Sequence, residues 1–336
     1  MKNLRYVCVQ PTIDYYTWQV EVLINNFIKH GVNPNNMDIV CAIRPGEDVP
    51  AVWRKLADHY NYVRFFFYED TRGNRPYVSS VRPHILKKHW EAHPYLKDEI
   101  IFYHDCDIIF TRPPDWSKFM EDDIWYGSDC RFYISAEYIE SKKYNIYEKM
   151  CDIVNIDPAI PRANELNGIG AQYLMKNVDA AYWEKVEKDS DDLYAFFLKD
   201  LEEHPEIKDV PAVPANETTP EIPAVIGYNP IQKWTADMWA VLWNAWYFKH
   251  EVRVAEEMDF CWATQEKSKW DKNTIFHNAG ILNTMSDDYF YKGEFINKLP
   301  YDIENKFKED RATHWYVNDI LETAKKSCLY DHTKSE

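Results

Sequence analysis

The sequence predicts an α/β fold, a single large domain built on a mainly parallel sheet flanked by helices. Two observations carry that reading. Strand-like and helix-like segments alternate through the first hundred of the 336 residues, the pattern of a parallel sheet with crossover helices. An apolar run, Ile100 to Tyr103, is followed at once by two aspartates, Asp105 and Asp107, where a parallel sheet carries its ligands.

The elements follow in order. Residues 6–9 form a first strand. Over 17–30, Val20, Leu23, Ile24 and Phe27 recur at helical spacing, and Gly31 suits a C-terminal cap. Residues 37–43 read as a second strand, 51–60 as a second helix and 62–68 as a Phe-rich third strand. Residues 80–91 suit a helix with Pro83 in its first turn, where a missing N–H is tolerated. The run before the aspartates is the next strand. Beyond about residue 125 the alternation loosens. Residues 124–126 read as a strand, 173–198 as a helix, and another helix begins near Thr235. A short strand and turn is expected over 273–281 and a polar helical tail over 301–330. Residues 205–230 hold Pro205, Pro211, Pro214, Pro220, Pro223 and Pro230, too many for a helix or central strand. That stretch is either a lid or acceptor-side loop or an inert surface excursion.

Composition excludes several classes. With 46% hydrophobic and 16% aromatic residues, the chain can bury a substantial core and is not disordered as a whole. No apolar run approaches the roughly 18 to 20 residues that cross a bilayer. The start moves straight into a strand without the longer apolar segment of a secretory signal, so a soluble, cytoplasmic protein with no membrane partner is expected. Seven cysteines, scattered and without a Cys-x-x-Cys pair, speak against zinc and a disulfide framework. A formal net charge of −16 opposes nonspecific nucleic-acid coating. It leaves room for a local basic patch from Lys87, Lys88 and His89, or from Arg72 and Arg75.

Asp105 and Asp107 carry the chemistry. Burying two carboxylates beside an apolar strand costs several kcal/mol unless something offsets it. In an extended segment residues two apart point to one side, so both reach one ligand while Cys106 turns to the other side as core filler. A hard cation, Mg²⁺ or Mn²⁺, takes one or two protein carboxylates and fills its shell with phosphate oxygens and water. That is the chemistry of a nucleotide-sugar site. The second such triplet, Asp189-Ser190-Asp191, lies in a charged stretch and reads as a solvated face.

Local stretches over roughly residues 74–280 resemble the GT-A glycosyltransferases, within them the hydroxyproline O-arabinosyltransferase and peptidyl-serine galactosyltransferase group. The stretches are Asn74-Arg75-Pro76 with Trp90 downstream, Asp107-Ile108-Ile109-Phe110-Thr111-Arg112-Pro113, Asn167-Gly168-Ile169-Gly170, Trp234-Thr235-Ala236-Asp237-Met238 and Ile275-Phe276-His277. Ile108 stands where that group carries His, and Asp237 where it commonly carries Glu. The resemblance implies a metal-dependent transferase that moves a hexosyl or pentosyl group from a UDP-sugar with retention. The acceptor is a hydroxyl of a protein, a glycan or a hydroxymethylated pyrimidine in DNA. It implies a nucleotide-sugar half over 1–130, an acceptor half over 131–300 and a tail over 301–336.

On that resemblance Asp105, Asp107 and His277 hold the metal. Pro11, Thr12, Arg75, Asp105, Asn167 and Gly168 attend the nucleotide sugar, and Trp234 and Asp237 the acceptor, with Asp237 catalytic. Each residue also has a plainer reading. His277 suits a hydrogen-bonded core histidine. Asp237, two residues after the possible N-cap Thr235, suits a first-turn acid stabilised by the helix dipole. Most of Trp234, Trp239, Trp243 and Trp246 suit the core. Gly168 and Gly170 suit a tight turn. Two rival functions remain: a sugar nucleotidyltransferase, which would favour a Gly-rich loop where this chain reads Gln10-Pro11-Thr12-Ile13-Asp14, and a carbohydrate-binding protein with a structural cation.

Overall fold

The computed structural model describes residues 3–209 and 226–330. Its first half alternates as expected: β1 (Leu4–Pro11), α1 (Asp14–Lys29), β2 (Met37–Ile43), α2 (Ala51–His59), β3 (Arg64–Glu69), α3 (Val81–Ala92) and β4 (Ile100–His104). β5 (Ile108–Phe110) and β6 (Trp125–Asp129) follow, then the short helices α4 (Arg131–Ile134), α5 (Ala136–Glu140), α6 (Ile146–Val154) and α7 (Ala159–Ala163). The remainder is β7 (Ile169–Lys176), α8 (Ala180–Glu203), α9 (Ala236–Tyr247), β8 (Val252–Val254), β9 (Phe260–Trp262), α10 (Lys267–Lys272), β10 (Ile275–His277) and α11 (Ala312–Ala324).

A seven-stranded sheet runs β3-β2-β1-β4-β7-β6-β8. β3, β2, β1 and β4 are mutually parallel, and β7 is antiparallel to both β4 and β6. This is the mainly parallel, helix-flanked sheet that the sequence predicts. Ile100 to His104 are all buried, which is why β4 reads as a continuous apolar run rather than an alternation.

Topology fixes where a ligand can sit. β1, β2 and β3 step in one direction, and the chain then returns to set β4 on the other side of β1. Right-handed crossovers therefore put α1 and α2 on one face and α3 on the opposite face. The crevice between the C-terminal ends of β1 and β4 is the switch point where such sheets bind ligands.

A smaller sheet, β5-β10-β9, lies against a second core. That core joins Trp18 and Val22 of α1 to Ile109, Phe276, Phe290 and Tyr316. Val20, Leu23, Ile24 and Phe27 of the same helix face the main core. Packed between the two cores, α1 is buried on nearly all sides, its polar Thr17, Gln19, Glu21, Asn25 and Asn26 included. Gly31 closes it at φ +85°, with its amide donating to the Ile28 carbonyl at 3.0 Å. The buried Glu21 binds the C-terminal segment, accepting from Tyr301 Oη at 2.5 Å and Ser327 Oγ at 2.6 Å.

Several local expectations are corrected. The stretch 173–198 is not one helix, because β7 runs to Lys176 and α8 starts at Ala180 behind the Asp179 cap. Asp189-Ser190-Asp191 is not a solvated face. Asp189 and Ser190 are buried, and the Asp189 carboxylate accepts from Lys185 Nζ at 2.6 Å and Asn244 Nδ2 at 2.9 Å. Thr235 does not cap α9; its hydroxyl donates to the Gln232 carbonyl at 2.6 Å. In the Pro-rich stretch, 210–225 lie outside the described residues, and the flanks meet through a bridge between Ile207 and Tyr228.

Candidate metal and sugar site

β4 ends at His104, and Asp105 and Asp107 sit in the turn that carries the chain into β5. The two carboxylates converge through this turn rather than through the extended pleat expected from the sequence. Cys106 is buried, as expected. β5 then pairs antiparallel with β10, setting His277 opposite Ile108. The Asn278 amide donates to the Asp107 carbonyl at 3.0 Å and fixes that register.

A far-removed histidine is thus delivered to the aspartates by strand pairing. His277 Nε2 lies 3.3 Å from Asp107 Oδ1 and 3.7 Å from Asp105 Oδ2. One ligand atom from each of the three residues falls within 4.8 Å of the others. Asp107 and His277 are buried and Asp105 is half-buried. Two carboxylates and an imidazole suit a divalent cation of the Mg²⁺ or Mn²⁺ class.

Two cations flank the cluster. Lys292 pairs with Asp107, and Arg82 bridges Asp237 and Asp105, the latter at 2.7 Å. Burial by itself would raise the Asp107 carboxyl, but Lys292 and His277 outweigh it and hold it well below the usual carboxylate range. Burial likewise works against the charge on Lys292, and Asp107 reverses the direction, so its pKa rises. For Arg82 the burial penalty is overcome by Asp237 and then Asp105. Tyr77 Oη donates to Asp237 Oδ1 at 2.6 Å and accepts from the Asp237 amide at 3.1 Å. Asp237 is therefore held by more than the helix dipole.

The carboxylates divide two cavities. The smaller, about 200 Å³, opens onto Pro11, Tyr15, Tyr16 and Gln19. The larger, about 450 Å³, is walled by Tyr103, Tyr133, Tyr173, Trp234 and Trp262, with Asp237 and His277 on its lining. Ser79, Arg82, Asp105, Asp107 and Lys292 border both. The fold thus brings together Pro11, Asp105, Asp107, Trp234, Asp237 and His277. Trp234 is 58% exposed, whereas Trp239, Trp243 and Trp246 are core.

The other proposed residues lie elsewhere. Thr12 is buried, with its hydroxyl donating to the Ala42 carbonyl at 2.9 Å. Arg75 is exposed and pairs with Asp191 at 3.0 Å. Asn167 ends a 3₁₀ turn, and a Cβ on Gly168 would meet Arg131 Cγ at 3.1 Å. Gly170 packs rather than turns: a Cβ there would stand 2.5 Å from Met238 Cε. Arg112 of the metal-motif stretch caps α10, donating to the Asp271 carbonyl at 2.8 Å.

Sequence reasoning missed Arg82, Lys292, Tyr77 and Gln172. Arg82 and Lys292 carry no local signature, since only the fold reveals which carboxylates they meet. Gln172 has one: an amide inside the apolar run of β7, a residue type seldom buried without a partner.

No family model matches the chain, and no curated protein matches it. Among solved structures it is similar to the apo form of the WbbM bifunctional glycosyltransferase, at 12% identity and a TM-score of 0.46. That similarity covers 97% of this chain and 50% of that one, so the chain spans about half the length of its structural neighbour. Likeness at this level bears on neither activity nor substrate.

Proposed function

We propose that this protein is a metal-dependent glycosyltransferase that moves a sugar from a nucleotide sugar to a hydroxyl acceptor. The observation that carries the reading is the Asp105, Asp107 and His277 cluster at the switch-point crevice, on the partition between two cavities. Asp107, His277 and Asp105 would hold Mn²⁺ or Mg²⁺, which when bound neutralises the charge that develops on a leaving diphosphate.

The protein's own groups divide the remaining work. Pro11 and its tyrosine neighbours border the nucleotide side, within the half formed by residues 1–130. The aromatic walls of the larger cavity offer flat apolar faces to an acceptor, with Trp234 and Asp237 from the second half. Paired with Arg82, the Asp237 carboxylate would orient an acceptor hydroxyl. Such a role suits retention, in which a leaving phosphate can take the proton. UDP as leaving nucleotide rests on the sequence resemblance.

A protein or glycan hydroxyl is favoured over modified DNA. Most of the cations that a DNA groove would use are engaged with carboxylates: Lys87 pairs with Glu184, Arg72 with Asp70 and Arg75 with Asp191, while His89 is buried and Lys88 donates to the Glu69 carbonyl and the Thr71 hydroxyl. A sugar nucleotidyltransferase is disfavoured by Asp14 at the start of α1, which sets negative charge where a phosphate loop needs free amides.

The test is a panel of nucleotide sugars with Mn²⁺ or Mg²⁺, following donor hydrolysis. Metal-dependent release of nucleotide diphosphate from one donor is expected. Binding of free sugar with no hydrolysis of any donor would overturn the assignment in favour of a lectin-like protein. Nucleotide triphosphate formed with added pyrophosphate would overturn it in favour of a nucleotidyltransferase.

A further inference from the structure

Behind His277 runs a buried polar chain that neither carboxylate touches. Gln172 and Ser128 are fully buried, one on β7 and one on β6. Gln172 Nε2 stands 3.2 Å from His277 Nδ1, and Gln172 Oε1 stands 2.7 Å from Ser128 Oγ. Ser128 Oγ is also 2.7 Å from the Met258 carbonyl.

One proton decides the arrangement. A hydroxyl has a single hydrogen, and a backbone carbonyl and an amide oxygen can only accept. If Ser128 donates to Met258, its lone pairs face Gln172 Oε1. If it donates to Gln172, they face Met258 instead. Either way two acceptors would meet at 2.7 Å. The two ends of an amide have nearly the same shape, and the hydrogen-bond inventory assigns them. Turning the amide over satisfies every contact: Ser128 donates to Met258, Gln172 Nε2 donates to Ser128, and Gln172 Oε1 accepts from His277 Nδ1.

The backbone is bent to make this contact. Between the pairs Gly127↔Tyr173 and Ser128↔Gly170, β7 carries two extra residues, Ala171 and Gln172. Ala171 takes φ +61°, the left-handed region, although it has a Cβ. Bulges of this kind re-aim side chains beside active sites.

We propose that Gln172 is a positioning residue that holds His277 as the Nδ1–H tautomer, leaving the Nε2 lone pair aimed at Asp105 and Asp107. This rests on the reading of those three residues as a metal site, for which only that tautomer offers a ligand atom on the correct side.

Two measurements test it on the full chain. The first is ¹⁵N NMR of His277 in the Mg²⁺-loaded protein, where a cation rather than a proton lies between Nε2 and the carboxylates. The Nδ1–H tautomer is expected, and the Nε2–H tautomer would overturn the proposal. The second is Mn²⁺ affinity by EPR titration. Gln172→Glu combined with Ser128→Ala, which keeps the acceptor toward His277 and removes the hydroxyl that needs the amide's donor, should bind within about three-fold of the parent. Gln172→Leu should lose about 10- to 100-fold, and parent-like affinity in that variant would overturn the proposal. Should the Leu variant not fold, the NMR result decides alone. A parent chain that binds no Mn²⁺ would remove the metal reading, whereas a parent that binds Mn²⁺ beside a Gln172→Leu variant of equal affinity would remove only the role of Gln172.

Discussion

Arg82 holds Asp237 in an ion pair at the edge of the larger cavity. The acid singled out as an acceptor group is thus a neutralised member of a network that also reaches Asp105. Through Arg82, Asp237 and Asp105 share one positive charge, and loss of either carboxylate redistributes it.

Asp237→Asn should therefore slow sugar transfer far more than it slows donor hydrolysis by water, with donor affinity near that of the parent. An interaction made only in the transition state lowers kcat and kcat/KM together. Stability should fall by more than the roughly 0.3 to 1 kcal/mol of a first-turn helix acid, since Arg82 loses an ionised partner and the amide's single oxygen can serve Arg82 or Tyr77 but not both. Donor affinity, hydrolysis and transfer measured on one variant decide the matter. Equal losses in hydrolysis and transfer would take Asp237 out of the acceptor site.

Asp107 and Lys292 form a second coupled pair. Asp107→Asn should abolish tight Mn²⁺ binding, because a neutral amide is a poor ligand for a hard dication. It also leaves the half-buried Lys292 ammonium without its carboxylate, which lowers stability, though by less than the roughly 3–5 kcal/mol of a fully buried broken pair. Adding Lys292→Met should recover much of that stability without restoring metal binding. Lys292→Met alone should tighten Mn²⁺ binding in nucleotide-free protein, since it removes a like charge beside the site. Denaturant unfolding and Mn²⁺ titration of the three variants check this, and weaker Mn²⁺ binding in the single Lys292 variant would contradict it.

Stability should decline as pH falls below about 6.5, the ordinary range of histidine. Burial pushes the His89 pKa down, and the opposing pull of Asp38 does not restore it. Burial lowers His104 to about 4. With a folded pKa below the unfolded one, the unfolded chain binds more protons in that window, so each step down in pH favours unfolding. His89→Gln should reduce the stability lost between pH 7.5 and 5.5. Unfolding curves at the two pH values measure the slope, and an unchanged slope would mean that His89 is not held neutral.

Ala171→Gly should be neutral or stabilising, by up to about 1 kcal/mol, because glycine enters the left-handed region without the cost that a Cβ imposes. Within an ordinary strand the same change is destabilising by roughly 0.5–1 kcal/mol. A lower melting temperature would show that the bulge is not strained at this position.

The sequence alone determined the alternation of the first half, because each element there buries one face or both and writes its period into neighbouring residues. Val20, Leu23, Ile24 and Phe27 declare a helix, and Ile100 to Tyr103 declare a buried strand. Asp105 and Asp107 were legible for the same local reason, as two charges following a run that excludes water. Tertiary structure alone decided what those charges meet. β5 and β10 pair across about half of the chain to deliver His277. α3 and the segment after β10 bring in Arg82 and Lys292, and a bulge in β7 turns Gln172 toward the site. It also buried Asp189 between Lys185 and Asn244, where local charge density suggests a solvated face. Hydrophobic period is a property of a dozen consecutive residues, whereas the partner of a charge is set by which distant strand end or helix lies across the crevice.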